Sequence, residues 1–239
     1  MDASSPPLRC AVFGASGGIG AALATALAER HEVHAGSRSG AVPCAKARPF
    51  AFDLTDEASI AAACAAIGGP LDIVLVATGR LTRADGTSPE KSYRALSGDG
   101  MAELFAVNTI GPALIAKHAL PLLRRDGRAV FAALSARVGS ISDNRLGGWH
   151  AYRASKAALN MLVKNLALEL ARTHPQAIAV TLHPGTVDTA LSAPFQRGVA
   201  AEKLFAPKVA AAALLGVLDG LTPADSGGLF AWDGAQVPF

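Results

Sequence analysis

Phe13-Gly14-Ala15-Ser16-Gly17-Gly18-Ile19-Gly20 closes the apolar run that begins at Arg9 and opens an Ala/Leu-rich segment reaching about Arg30. The order is strand, glycine-rich turn, helix. Absent side chains let the backbone turn tightly and approach an anion, and the N-terminus of the following helix carries partial positive charge toward it. A pyrophosphate suits that geometry. Gly14, Ser16, Gly18, Ile19 and Gly20 are therefore the first candidate binding residues.

Working outward, apolar runs at His31 to Ser37, Pro49 to Asp53, Leu71 to Ala77, Arg128 to Ser135, Ala177 to Leu182 and Gly228 to Trp232 read as further strands. Helices are expected over about Ala58 to Ile67, Asp99 to Arg124, Ala151 to Arg172 and Pro207 to Leu218, with Pro112 and Pro121 able to break the second of these. Strands alternating with helices predict an α/β fold, Rossmann-like and doubly wound, with helices on both faces of a mainly parallel sheet. At 239 residues, with no linker-like stretch, the chain reads as one domain over 1–239 with a flexible N-terminus at 1–7.

Composition excludes several classes. A net charge of +3 with Lys and Arg scattered gives no basic arm, so nucleic acid is not an expected partner. Apolar runs such as Leu71 to Ala77 are too short to span a bilayer, and the opening residues lack the pattern of a secretion signal, so a cytoplasmic protein without membrane attachment is expected. Cys10, Cys44 and Cys64 have no paired spacing, which argues against a disulfide framework or a metal site.

The second strand ends in Gly36-Ser37-Arg38, where NAD-binding folds commonly carry an acid for the adenosine ribose hydroxyls. A cation there suits a 2′-phosphate. Arg38 would supply a charge-assisted hydrogen bond and Ser37 a neutral donor, so NADP (NADPH) is preferred to NAD.

Tyr152-Arg-Ala-Ser-Lys156 places a phenol and an ammonium one helical turn apart, facing one cleft. A nearby ammonium favours phenolate, so the spacing predicts a lowered Tyr152 pKa and a hydroxyl suited to exchanging a proton with a carbonyl or alcohol oxygen.

With these motifs in hand, the sequence resembles the short-chain dehydrogenase/reductase family over nearly its full length, from Gly14-x-x-x-Gly18-Ile-Gly20 through Tyr152-x-x-x-Lys156 to Pro184-Gly185. The resemblance implies an NADP-dependent oxidoreductase with a catalytic set of Asn108, Ser135, Tyr152 and Lys156. Tyr152 would be the acid or base, Lys156 would also bind the nicotinamide ribose, Ser135 would orient the substrate oxygen, and Asn108 would support a proton-relay water. Leu134-Ser135-Ala136-Arg137 replaces the family's frequent Ser-Ser pair, so Ala136 competes for the serine position, with Ser140 and Ser142 as fallbacks. The resemblance also implies cofactor contacts from Asp53 and Leu54 to adenine, from the Ala77 and Gly79 backbone to adenosine or ribose, and from Pro184, Gly185, Val187 and Thr189 beside nicotinamide. Val76-Ala77-Thr78-Gly79 lacks the family's asparagine, which removes its side-chain support.

The segments 136–149 and 192–206 should border the substrate, with Trp149, Leu191, Phe195 and Phe205 either lining an apolar pocket or serving core packing or a mobile lid, and His183 structural in role. The 139–156 region is similar to carbonyl-reductase-like and C-factor-like members of the family. A small carbonyl or alcohol is the expected substrate and a homodimer or homotetramer the expected assembly. The alternative is a dinucleotide-binding signalling or interaction protein with weak turnover.

Overall fold

The computed structural model describes residues 6–239, so residues 1–5 of the expected flexible N-terminus lie outside the described residues. Strands β1 (Arg9–Phe13), β2 (Glu32–Ser37), β3 (Arg48–Ala51), β4 (Ile73–Val76), β5 (Ala129–Leu134) and β6 (Ala177–His183) fall where the apolar runs were read. With β9 (Leu229–Ala231) and β10 (Gln236–Val237) they form one sheet in the order β10-β9-β6-β5-β4-β1-β2-β3, parallel throughout except for the β9–β10 pair.

Strand alternation divides the core between two faces. Ala11, Phe13, Val74, Val76, Phe131 and Ala179 point toward helices α2 (Glu57–Ile67), α4 (Gly111–Ala119) and α5 (His150–Thr173). Cys10, Val12, Val33, Leu75, Val130 and Val180 point toward α1 (Gly18–Ala28) and α6 (Pro207–Gly220). Because the middle of the sheet is covered on both sides, its central strands, such as β4 and β5, read as continuous apolar runs. The short pair β7 (Thr186–Val187) and β8 (Leu204–Phe205) was not anticipated, and neither was β10; two residues carry too little pattern to stand out.

The expected helix over 99–124 is divided. Helix α3 (Gly98–Phe105) passes into a π-helical turn at Ala106–Ile110 before α4 begins, and a 3₁₀ turn at Leu120–Leu122 ends the run. Pro112 explains the shift in register. It has no N–H to give the Asn108 carbonyl four residues earlier, and the Gly111 N–H bonds back five residues to the Ala106 carbonyl.

At the opposite end of the sheet from the C-terminal strand edges, Asp72 ties three strands together. Its N–H bonds the Arg9 carbonyl and its carbonyl accepts from Val130 N–H, while Oδ2 accepts from the Arg9 N–H at 2.7 Å. Its other oxygen lies 2.6 Å from Arg124 Nε, and the carboxylate is only 6% exposed. Asp72→Ala leaves these donors unanswered, so a destabilisation of about 1–3 kcal/mol is expected, lowering the melting temperature by roughly 2–10 °C. Thermal unfolding checks the loss.

Candidate active site

The Gly14 turn forms where two close approaches exclude side chains. Gly14 has φ +91°, and its N–H and that of Ala15 both bond the Gly36 carbonyl. A Cβ on Gly20 would lie 2.2 Å from the Gly14 oxygen, and one on Gly18 would lie 2.7 Å from Thr189 Cγ2. Helix α1 therefore starts against the turn, with no acid in its first turn and no side-chain cap. Its N-terminal N–H groups remain available to a ligand anion.

A crevice runs from this turn along the C-terminal ends of the strands. Its outer part, about 470 Å³, is bordered by Gly14, Ser16, Arg38, Asp53, Leu54 and Gly79. A middle part of about 310 Å³ carries Gly18, Ile19, Ser135, Tyr152, Lys156 and Thr189. The inner part, about 220 Å³, adds Trp149, His183, Gly185, Val187, Leu191 and Phe195. Neighbouring parts share Gly17, Ala77, Thr78 and Gly79 at one junction, and Ile19, Ser135, Tyr152 and Pro184 at the other. The crevice is continuous.

Every expected site residue lines it except Gly20, which is buried beneath the turn, and Asn108, which lies behind the wall. Asn108 is fully buried. Its Oδ1 accepts from Arg80 N–H and its amide donates to the Arg80 carbonyl and to Ser155 Oγ, which in turn donates to the Tyr152 carbonyl. A Cβ on Gly79 would lie 3.5 Å from both Asn108 Oδ1 and Lys156 Nζ, so the two groups flank this glycine.

Tyr152, Lys156 and Asn160 recur every four residues on the buried face of α5. Asn160 was missed in the sequence, although its spacing from Lys156 could have revealed it. Its Oδ1 accepts a 2.7 Å hydrogen bond from Ser135 Oγ, fixing that hydroxyl in the crevice wall. Ala136 borders only the inner part, Ser140 Oγ accepts from the Asp143 N–H, and Ser142 lies on the exposed surface. Ser135 is thus the serine beside Tyr152. Gly139 brings its turn onto α5, where a Cβ would lie 2.8 Å from Lys156 Cβ.

Three expectations need correction. The Tyr152 phenol is not lowered: burial pushes it up to about 12, and burial brings the Lys156 ammonium down to about 8. Lys156 Nζ lies 5.9 Å from the Tyr152 ring centre and donates to the Leu134 carbonyl at 2.8 Å, so desolvation outweighs the attraction that the spacing suggested. Ser37 is not a free donor beside Arg38, since its buried hydroxyl donates to the Ala41 carbonyl at 2.7 Å. Phe205 does not line the inner pocket; it packs edge-on against Trp232 at 4.6 Å, and both rings abut the position a Gly185 Cβ would occupy.

Charge is unevenly spread. Arg38 is exposed at the outer end, opposite Asp53, whose carboxyl is held below its usual range by hydrogen bonds from the Thr55 N–H and hydroxyl and, less, by Arg38. In the inner pocket His183 is neutral at pH 7, because burial brings it down to about 4. Two buried polar atoms of the wall, Thr78 Oγ1 and His183 Nδ1, have no hydrogen-bond partner in the protein. Among the described residues no His, Cys, Asp and Glu cluster could hold a metal ion, and no helix is long and apolar enough to cross a membrane.

The family model for short chain dehydrogenases matches residues 9–199. The chain is 38% identical over 140 residues to C-signal of Myxococcus xanthus, a match covering 58% of this chain and 78% of that protein. It is 35% identical over 133 residues to 1-hydroxy-2-glutathionyl-2-methyl-3-butene dehydrogenase of Rhodococcus sp. (strain AD45), a match spanning 56% of each chain. The structure resembles NADPH-bound carbonyl reductase from chicken fatty liver with a TM-score of 0.81 at 25% identity, over 98% of this chain and all of that one. With the glycine turn, the Tyr152-Lys156 pair and Ser135 gathered in one crevice of a mostly parallel sheet, the chain belongs to the short-chain dehydrogenase family.

Proposed function

We propose that this chain is an NADP-dependent oxidoreductase that passes a hydride between nicotinamide and a carbonyl or alcohol, with Tyr152 as the proton-transfer residue. The observation that carries the reading is the meeting of Ser135, Tyr152 and Lys156 in the middle of a crevice whose outer end is the Gly14 turn. The crevice fits a dinucleotide. Gly18 and Gly20 stand where side chains would fill the turn, the N-terminus of α1 is uncapped, and Thr78 Oγ1 is a buried polar atom still wanting a partner.

In this reading the α1 N-terminus, with the backbone from Gly14 and Ser16 to Gly20, holds the pyrophosphate. Arg38 binds the 2′-phosphate, Asp53 and Leu54 border the adenine, and the Ala77 and Gly79 backbone faces its ribose. Lys156 holds the nicotinamide ribose; Pro184, Gly185 and Val187 border the carboxamide, and Thr189 the phosphate side. The likeness to NADPH-bound carbonyl reductase supports the same assignment.

Bound nicotinamide supplies the hydride; the protein manages the oxygen and its proton. Ser135 Oγ, fixed by Asn160, orients the substrate oxygen beside the Tyr152 hydroxyl. Burial keeps Tyr152 protonated at neutral pH, which suits the acid in the reduction direction. As the carbonyl carbon takes the hydride, its oxygen takes the phenolic proton, and the product is the alcohol. Lys156, lowered toward neutrality, is placed to return a proton to Tyr152, with Asn108 supporting that side through Arg80 and Ser155. The inner pocket, with Leu81, Val138, Trp149 and Phe195 around a neutral His183, favours a small carbonyl bearing an apolar or aromatic group.

The likeness to C-signal supports a second reading, in which dinucleotide occupancy stabilises an interaction surface and turnover is incidental. Tyr152→Phe separates the two. A fall of about 10²–10⁴-fold in kcat for NADPH-dependent carbonyl reduction, with NADPH binding retained, is expected for the enzyme; unchanged turnover would sink the assignment.

Arg38→Ala tests the choice of cofactor by fluorescence titration with NADPH and NADH. Removing a charge-assisted contact should weaken NADPH by roughly 10–100-fold and leave NADH within about twofold. Equal weakening of both would remove Arg38 from phosphate recognition.

A further inference from the structure

We propose that Glu90 is a positioning residue that clamps the entry to α5, holding Trp149 as a wall of the substrate pocket and Tyr152 in register behind it. The proposal rests on the reading of Tyr152 as the proton-transfer residue. Glu90 belongs to the long connection between β4 and α3, far in sequence from the residues it holds.

Helix α5 begins abruptly. It has no acid in its first turn and no side-chain cap of its own, although Tyr152 stands only two residues inside it. Glu90 supplies both from outside: its backbone carbonyl accepts from Trp149 N–H at 2.5 Å, and its Oε2 accepts from Ala151 N–H at 3.3 Å. A carboxylate at this end of a helix is favoured by the exposed N–H groups and by their aligned dipoles. The contact is local to one point of the connection. Residues 84–88 are exposed, whereas Pro89 is buried and Glu90 half-buried.

The backbone that Glu90 grips is one that would not form unaided. Gly147, Gly148 and Trp149 have φ of +63°, +65° and +51° in succession. Glycine enters this left-handed region freely, but a side chain as large as tryptophan does so only where its surroundings compel it. Gly148 brings the turn close, since a Cβ there would lie 3.6 Å from the Glu90 carbonyl oxygen. The result is functional in its placement: the Trp149 ring stands 6.3 Å from Tyr152 and 5.2 Å from Phe195, both edge-on, in the pocket that Ser135 also lines. Leu81, from the start of the same connection, lines that pocket too. The 79–97 segment thus reaches the substrate directly through Leu81 and indirectly through Glu90.

The test uses tryptophan emission together with kinetics. The chain has two tryptophans, so a Trp232→Phe background leaves Trp149 as the sole reporter. In that background, Glu90→Ala should red-shift the emission, raise its quenching by acrylamide, and raise KM for benzaldehyde by about fivefold with NADPH affinity unchanged. Glu90→Gln keeps a neutral acceptor for Ala151 N–H and should recover most of the emission and KM. The clamp is overturned if Glu90→Ala leaves emission, quenching and KM as in the parent, or if NADPH affinity and KM deteriorate together, which is the mark of general loosening. Should Glu90→Ala fail to fold, Glu90→Gln decides alone: a parental KM and emission support the clamp, and an alanine-like loss overturns it. Emission judges the clamp without turnover, so a parent chain that binds NADPH but reduces no benzaldehyde counts against the Tyr152 reading instead.

Discussion

The approach of α1 to the Gly14 turn is the constraint on which the rest of the architecture depends. Between β1 and β4 the chain reverses its direction of travel across the sheet, since β2 and β3 lie on one side and β4, β5 and β6 on the other. Such a reversal opens a crevice at the C-terminal edge, because the connections leave for opposite faces. A crevice becomes an anion site only if backbone N–H groups reach it. The absent Cβ atoms of Gly18 and Gly20 permit that reach, with Thr189 and the Gly14 carbonyl occupying the room that side chains would need. A side chain at Gly20 would move the helix, and with it the partial charge facing the ligand.

Burial governs the chemistry of the second half of the crevice. Tyr152 and Lys156 lie on the face of α5 that packs toward the sheet, so both lose water, and desolvation favours the neutral form of each. In a phenol that means retaining the proton, and in an ammonium it means releasing one more readily. From near-equal proton affinities in water the two shifts move the groups apart, so that the buried phenol holds its proton more tightly than the buried ammonium. The polar atoms around them are mostly satisfied within the protein: Ser135 by Asn160, Asn108 by Arg80 and Ser155, Lys156 by the Leu134 carbonyl. This network fixes positions without adding a charge, and in a low-dielectric site fixed positions are what hydrogen bonds secure.

The order of strands and helices was legible because a doubly covered parallel sheet requires unbroken apolar strands, as in Ile73–Val76 and Ala177–His183. Glycine spacing and the Tyr152-Lys156 interval were legible for a similar reason: local geometry fixes both. What escaped the sequence depends on partners distant along the chain. The Ser37 hydroxyl turns to Ala41, Phe205 finds Trp232 rather than the pocket, and the Tyr152 pKa follows its burial more than its neighbour. The π-helical turn stands between these cases. Pro112 signals that the Asn108 carbonyl loses its helical donor, but only the packing of Gly111 against Leu54 decides that the helix continues past it.

The connection from Gly79 to Ser97 shows how a long loop can bear on the crevice wall. Its Arg80 backbone anchors Asn108, and Glu103 of α3 returns to bind the Arg80 and Arg83 side chains and the Ala84 N–H. Residues 84–88 of the segment are exposed. Its second attachment, at Glu90, falls on the turn that carries Trp149 rather than on the sheet. A change at Glu90 would therefore act first on the turn that carries Trp149, a residue of the inner part of the crevice. A pocket wall set by a loop is more readily altered than one set by the sheet.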